Sequence, residues 1–338
     1  MNRRDFLGTS AGWLLGAAAL NVFSSGARAQ GQKARVVLVR HPRLVATPPE
    51  QRRPMYQALL TRGMERLFGG SATKVWGQLF SARDVVGIKV NCQAARISTN
   101  VELSLAIADA LKAAQLPPEN VIVFDRKNRE LEHAGYTVTP PSSPLSKGGM
   151  GGVKVYGTDA DGVGYEERLT QRGSIGSRLS NIVTEQCTAL INAPILKDHA
   201  IAGMTASLKN HFGVINNPNK FHSNGCDPYV ADLNTLPVLR EKQRLIVCDC
   251  TEILYHGGPA DSPNHRYPCG GILLGTDPLA VDTVGWKMIE GIRKEKGLPS
   301  LEDAKNPPRH LFTAASSPYL LGVGEFERIE LVQEILTA

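Results

Sequence analysis

The chain has 338 residues, 42% of them hydrophobic, and carries 38 Lys and Arg against 32 Asp and Glu for a net charge of +6. That length supports a substantial core, in one large domain or two smaller ones. The charge is too mild and too scattered for a nucleic-acid partner, and six cysteines are too sparse for a disulfide-built scaffold.

In chain order, residues 1–29 read as a twin-arginine export signal. Arg3-Arg4 precedes a short apolar stretch over residues 11–22, and Ala27-Arg28-Ala29 offers small residues for cleavage before Gln30. Gly16 and Asn21 interrupt the apolar stretch, which is too short and weak to span a bilayer permanently. The signal implies passage through the twin-arginine translocation machinery to the periplasm. It also implies a mature form, residues 30–338, that is not held in the membrane. Loss of three arginines and one aspartate lowers the net charge from +6 to +4. That route carries folded proteins, often with a cofactor already loaded, so a bound metal or organic cofactor is expected.

Short Val/Ile-rich runs then alternate with helical patterns, which predicts a single α/β domain with a mostly parallel central sheet flanked by helices. The predicted strands are residues 35–39, 85–90, 121–125, 189–193, 245–249 and 271–275. Helices are predicted over 55–67, after Thr99, and over 278–294. In the second, Thr99 and Glu102 form a capping box and Leu103, Ile107, Ala110 and Leu111 line one face. In the third, Asp277 is the cap and Pro278 opens the first turn. Residues 139–164 hold three prolines and seven glycines and read as a long excursion, with 140–175 the place where two lobes would meet.

Four apolar strands run into chemically capable groups. VVGIKVN delivers Lys89 and Asn91, VIVFD delivers Asp125, ALINAPILKDH delivers Lys197, Asp198 and His199, and LIVCD delivers Asp249. The carboxyl ends of parallel strands gather at one rim, where ligands bind. The densest stretch runs from Lys197 through Thr205, Lys209, Asn210 and His211 to Gly213, with His222 beyond. A helix over 205–212 would put Thr205 and Lys209 on one face. Lysines with hydroxyl and amide donors suit an anion, and a desolvated lysine also serves as base or covalent tether.

His199, His222 and Asp249 are the candidate ligands of one mononuclear metal, although no compact ligand spacing such as HExxH is present. No CxxC pair occurs, which argues against an iron–sulfur cluster. Cys248 and Cys250 would face one side of a strand, with Asp249 facing the other way toward the cleft. His256-Gly257-Gly258-Pro259 reads as a tight turn whose glycines admit close approach of a ligand. Asp282 falls about one turn into its helix and is a further site candidate. No dinucleotide fingerprint, Walker loop or GxSxG is present.

IKVN at 88–91, KDHAIAGMTASLKNHFG at 197–213, His222 and GTDPLAVD at 275–282 resemble the domain-of-unknown-function 362 family over residues 85–297. Residues 223–237 resemble an exported, twin-arginine branch of it. The resemblance implies Lys89, Asn91, Lys197, His199, Thr205, Lys209, Asn210, His222, Asp249 and Asp282 as recurrent polar positions. Many members carry ferredoxin-like cysteine runs, which this chain lacks. The family is distantly similar to lactate-racemase-like proteins, whose nickel-bearing nucleotide is tethered to lysine.

The expected function is a periplasmic enzyme acting on a small anionic ligand. Lys89, Asn91, Lys197, Thr205, Lys209, Asn210 and Asp282 would bind the anion or cofactor, and His199, His222 and Asp249 would carry the chemistry. Oxidoreductase is the first class and isomerase or racemase the second. A non-catalytic anion- or cofactor-binding protein is the rival.

Overall fold

The computed structural model describes residues 33–139, 141 and 151–337. The predicted export signal over residues 1–29, Pro140 and residues 142–150 of the Pro/Gly-rich stretch lie outside the described residues.

The first strand, β1 (Ala34–Arg40), leads to α1 (Arg53–Phe68) and α2 (Ala72–Leu79). Then come β2 (Val86–Val90), α3 (Val101–Ala113), β3 (Val121–Asp125), α4 (Asn128–His133) and β4 (Lys154–Gly157). A small hairpin of β5 (Thr170–Arg172) and β6 (Ile175–Ser177) precedes β7 (Ala189–Ala193), β8 (Ile195–His199) and β9 (Gly203–Thr205). Short helices α5 (Ser207–Asn210), α6 (Tyr229–Asn234) and α7 (Pro237–Lys242) lead into the long β10 (Gln243–Leu254) and then β11 (Arg266–Tyr267). The chain ends through β12 (Gly271–Gly275), α8 (Pro278–Glu295), α9 (Arg309–Ala315) and β13 (Ile329–Ile335).

The main sheet runs β13-β1-β12-β10-β7-β2-β3-β4, with β8, β9 and β11 attached around β10. From β10 to β4 every neighbour is parallel, and β13 lies parallel to β1. Only β12 along that path opposes both its neighbours. The sheet is therefore mixed but mostly parallel, as the alternation of apolar runs and helical patterns predicts.

Alternation along the strands separates two cores. Val37 and Val39 of β1 and Val86, Ile88 and Val90 of β2 face the layer containing Leu59 and Met64 of α1 and Ile107 of α3. Val36, Leu38, Ile246 and Cys248 face the opposite layer, with Val281 and Val284 of α8 and Leu311 of α9. A strand that buries both faces reads as a continuous apolar run, which is why these strands were visible in the sequence. Lys89 lies between Ile88 and Val90 and is only 1% exposed, so it projects into the second layer as a buried polar insertion.

Some local expectations are corrected. The predicted strand 245–249 is the middle of a twelve-residue strand, β10. The capping box at Thr99 does not form, because Asn100 is the N-cap of α3. The Thr99 hydroxyl instead donates to Ala193 O and accepts from Asn91 N. Asp277 does cap α8, accepting from Ala280 N at 3.0 Å. Part of the Pro/Gly-rich stretch is ordered into β4, which pairs with β3. No helix among the described residues is long and apolar enough to cross a membrane.

Candidate functional site

The site begins with a break in a strand. β7 pairs with β2 and β10, but Pro194, which has no N–H to donate, ends that ladder. Its carbonyl accepts from Asp249 N, and the chain re-enters alongside β10 as β8. β8 then turns back antiparallel as β9, placing Lys197 directly across from Thr205 and His199 across from Gly203. Because side chains alternate, Lys197 and His199 share one face of the hairpin with Thr205. Residues 205–212, read from sequence as one helix, are thus divided. Thr205 ends β9, α5 carries Lys209 and Asn210, and a 3₁₀ turn follows from His211.

Lys197 is fully buried, and its only described hydrogen bond is a long one, 3.5 Å to Ile97 O. Burial and the nearby Lys209 ammonium push its pKa down to about 8. Burial likewise pushes Lys209 down to about 8. Lys209 Nζ lies 3.3 Å from His222 Nε2 and 4.7 Å from the centre of the Phe212 ring. Neither lysine has a carboxylate partner among the described residues. Burying a charge without one is costly, and burial accordingly lowers the pKa of both lysines.

Three histidines surround this pair and all are held neutral. The His199 ring stacks on that of His222 with centroids 5.7 Å apart. His199 Nδ1 accepts from Ile201 N and Ala202 N, so its proton sits on Nε2. Burial and the Lys209 charge push its pKa down to about 2. His222 has the opposite tautomer. Its Nδ1 donates to Pro218 O at 3.0 Å, leaving the Nε2 lone pair for Lys209. Burial and Lys209 lower the pKa of His222 as well.

The third histidine, His310 on α9, was not found from the sequence. It is fully buried, neither ring nitrogen has a hydrogen-bond partner, and burial and the Lys209 charge push its pKa to about 3. The segment before it packs against the hairpin, where Asn306 Nδ2 donates to His199 O at 2.9 Å. Gly203 is obligatory there. Its φ is +74°, and a Cβ would meet Asn306 O and Pro308 N at 2.7 Å.

Lys89, Asn91 and Asn210 line an open cleft together with Thr205, Lys209 and His222, while Lys197, His199 and His310 are not among its lining residues. The role of the first three is different, because their polar groups are mostly spent on each other. Lys89 Nζ forms a buried ion pair with Asp125 Oδ1 at 2.7 Å and also donates to Val90 O and to Asn210 Oδ1. Asp125 in turn accepts from Cys92 N and Arg126 N. Asn210 Nδ2 bridges Lys89 O and Asn192 Oδ1. Asn192 continues to His211, which is anchored on Asn234 at 2.7 Å. Lys89 reaches the cleft as expected, but with its charge already matched by Asp125, and with Asp125 and Asn210 it forms the cleft's floor. Asn91 Oδ1 and Thr205 Oγ1 are buried acceptors without partners.

Gly213 closes this floor, since a Cβ there would meet Lys89 Nζ and Asp125 Oδ1 at 2.6 Å. Gly213→Ala is expected to cost about 1–3 kcal/mol of stability by overpacking the ion pair, measured by urea denaturation.

Two predicted site residues belong elsewhere. Asp249 is fully buried and accepts from Asn100 N and Nδ2 and from Thr251 N, so it caps the start of α3 rather than orienting a histidine. Asp282 accepts from Ser207 N and Leu208 N at 2.7 and 2.9 Å, fixing α5 from behind. It does not reach the cleft, and burial pushes its pKa up to about 7. With Asp249 withdrawn, the metal set of His199, His222 and Asp249 does not assemble. Among the described residues no three His, Cys, Asp or Glu side chains gather in a metal-holding group. Gly258 packs on the backbone of Asp198 and its N–H donates to the Asp198 carboxylate at 2.9 Å, so its close approach is to β8. All six cysteines are free thiols, five of them buried.

Comparison with known families bears on the same core. The model described as domain of unknown function (DUF362) matches residues 86–287, from β2 into α8. No curated protein matches the chain.

Proposed function

The chain belongs to the DUF362 family, and we propose that it is an exported enzyme acting on a small organic anion by proton transfer. One observation carries the reading: Lys197 and Lys209 are buried together without a carboxylate, whereas Lys89 beside them has one. The first two supply charge for a ligand and the third supplies rigidity. His222, neutral and with its Nε2 lone pair presented to Lys209, is the base in this scheme, and Thr205 and Asn91 offer acceptors or a hydroxyl to the ligand's polar atoms. This arrangement supports an isomerase-like or racemase-like reaction ahead of an oxidoreductase one, whose support is the twin-arginine signal. Export to the periplasm is proposed from Arg3-Arg4 and the small residues before Gln30.

Calorimetric titration with phosphate and with pyruvate tests the anion site, and proton-exchange NMR on 2-hydroxy and 2-oxo acids tests turnover. His222→Gln is expected to retain anion affinity and lose exchange. Retained affinity with no exchange on any acid in the wild type would favour the binding-protein reading instead.

Anion affinity is expected to fall as pH rises through about 8, because the two lysines then lose the protons that attract the ligand. Below that value they are already charged and affinity should level off. Titration between pH 6 and 10 in buffers of different ionisation enthalpy checks this, with proton uptake on binding appearing above pH 8. An affinity independent of pH across that range would remove the lysines from the site.

A further inference from the structure

We propose that Lys209 is a covalent nucleophile, forming an imine with the carbonyl carbon of a small 2-oxo carboxylate, with His222 as its base. The inference rests on the anion-site reading above and names the substrate class for it.

Three geometric facts point this way. First, Lys209 Nζ, His222 Nε2 and Pro218 O form a chain of nucleophile, base and orienting acceptor, with separations of 3.3 Å and 3.0 Å. Nucleophiles are activated by that arrangement on unrelated folds. Second, Lys209 lines the open cleft together with His222 and Thr205, so a ligand reaches its amine. Third, the Thr205 hydroxyl lines the same cleft without a hydrogen-bond partner and can meet a carboxylate one bond from the reacting carbonyl, with the Lys197 residue across the hairpin from it. An apolar setting also keeps a lysine amine available near neutral pH, in keeping with the burial that lowers the pKa of Lys209.

The step balances without an outside reagent. The Lys209 ammonium gives one proton to His222 Nε2, and the free amine attacks the carbonyl carbon, forming the C–N bond. One proton passes from nitrogen to the former carbonyl oxygen, giving a carbinolamine. His222 returns its proton to the hydroxyl, the C–O bond breaks, and water leaves. The product is a protonated imine on Lys209, with no change of oxidation state. The imine then withdraws electrons from the adjacent carbon, which is the activation that proton exchange at that carbon needs.

Borohydride trapping of the full chain with pyruvate tests this. The wild type is expected to gain one reduced pyruvate adduct, mapped by peptide mass spectrometry to the peptide bearing Lys209. Lys209→Arg keeps the charge and is expected to lose the adduct. His222→Gln is expected to slow trapping on the order of a hundredfold. Mapping on the wild type needs no variant, so a misfolded Lys209→Arg leaves the test intact. An adduct at another lysine, or one that persists in Lys209→Arg, overturns the assignment. Calorimetry with pyruvate alone separates the two readings. Binding without trapping overturns the imine and leaves the anion site standing, whereas absence of both pyruvate and phosphate binding overturns both.

Discussion

Asp125→Ala is expected to lower the unfolding free energy by about 3–5 kcal/mol, the cost of leaving a buried charge without its partner. Asp125 Oδ1 lies 2.7 Å from Lys89 Nζ, and both side chains are almost fully buried. Without the carboxylate, the Lys89 ammonium keeps only Val90 O and Asn210 Oδ1, and Cys92 N loses its acceptor as well. Urea denaturation of the single variants and of the double variant Lys89→Met/Asp125→Ala forms a cycle. The double variant should recover part of the loss, since it removes the orphaned charge. A single-variant loss below 1 kcal/mol would mean that water already reaches the pair.

Lys197→Met should behave in the opposite sense. Lys197 has no carboxylate to lose, so replacing it with an apolar side chain of similar length removes a desolvated charge. The unliganded protein is expected to gain on the order of 1–4 kcal/mol, the range found when buried charges give way to well-packed apolar groups. Anion affinity is expected to fall by about 1.5–3 kcal/mol, the worth of a hydrogen bond to a charged group. Thermal melting with and without phosphate reads both effects together. A variant that is less stable than the wild type and still binds would make Lys197 a structural residue.

The pH dependence of stability follows from the same lysines. Their folded-state pKa is about 8 against a usual value of 10.5, so the unfolded chain binds more protons between those values. Stability without ligand therefore rises with pH across that window and is lowest, on this account, below pH 8. Ligand binding should flatten the rise.

Much of this was legible in the sequence because the signals were local. The strands bury both faces and read as unbroken Val/Ile runs, and Lys197, Thr205, Lys209 and His222 fall within one compact stretch. The errors arose where function depends on distant backbone. Asp249 looked free at a strand end, but its acceptor sites are filled by Asn100, 149 positions away. Asp282 is occupied by the amides of Ser207 and Leu208, about 75 positions away. Nothing in either local sequence announces such a partner. The stretch 205–212 was misread because Thr205 and Lys209 are four apart, a helical spacing, while Gly203 and the three-residue β9 are too short to show a strand period. His310 has no motif around it, and only the packing of the chain's last quarter against β8 and β9 brings it near Lys209.

The pairing of β1 with β13 joins strands from opposite ends of the chain, with Arg35 and Glu330 in an ion pair across 295 positions. That geometry sets a timetable. Until β13 is made, β1 lacks its outer neighbour and only its β12 edge is paired. Contacts of such long range are late and slow to form. The outer edge of β1 is thus among the last parts of the sheet to be closed.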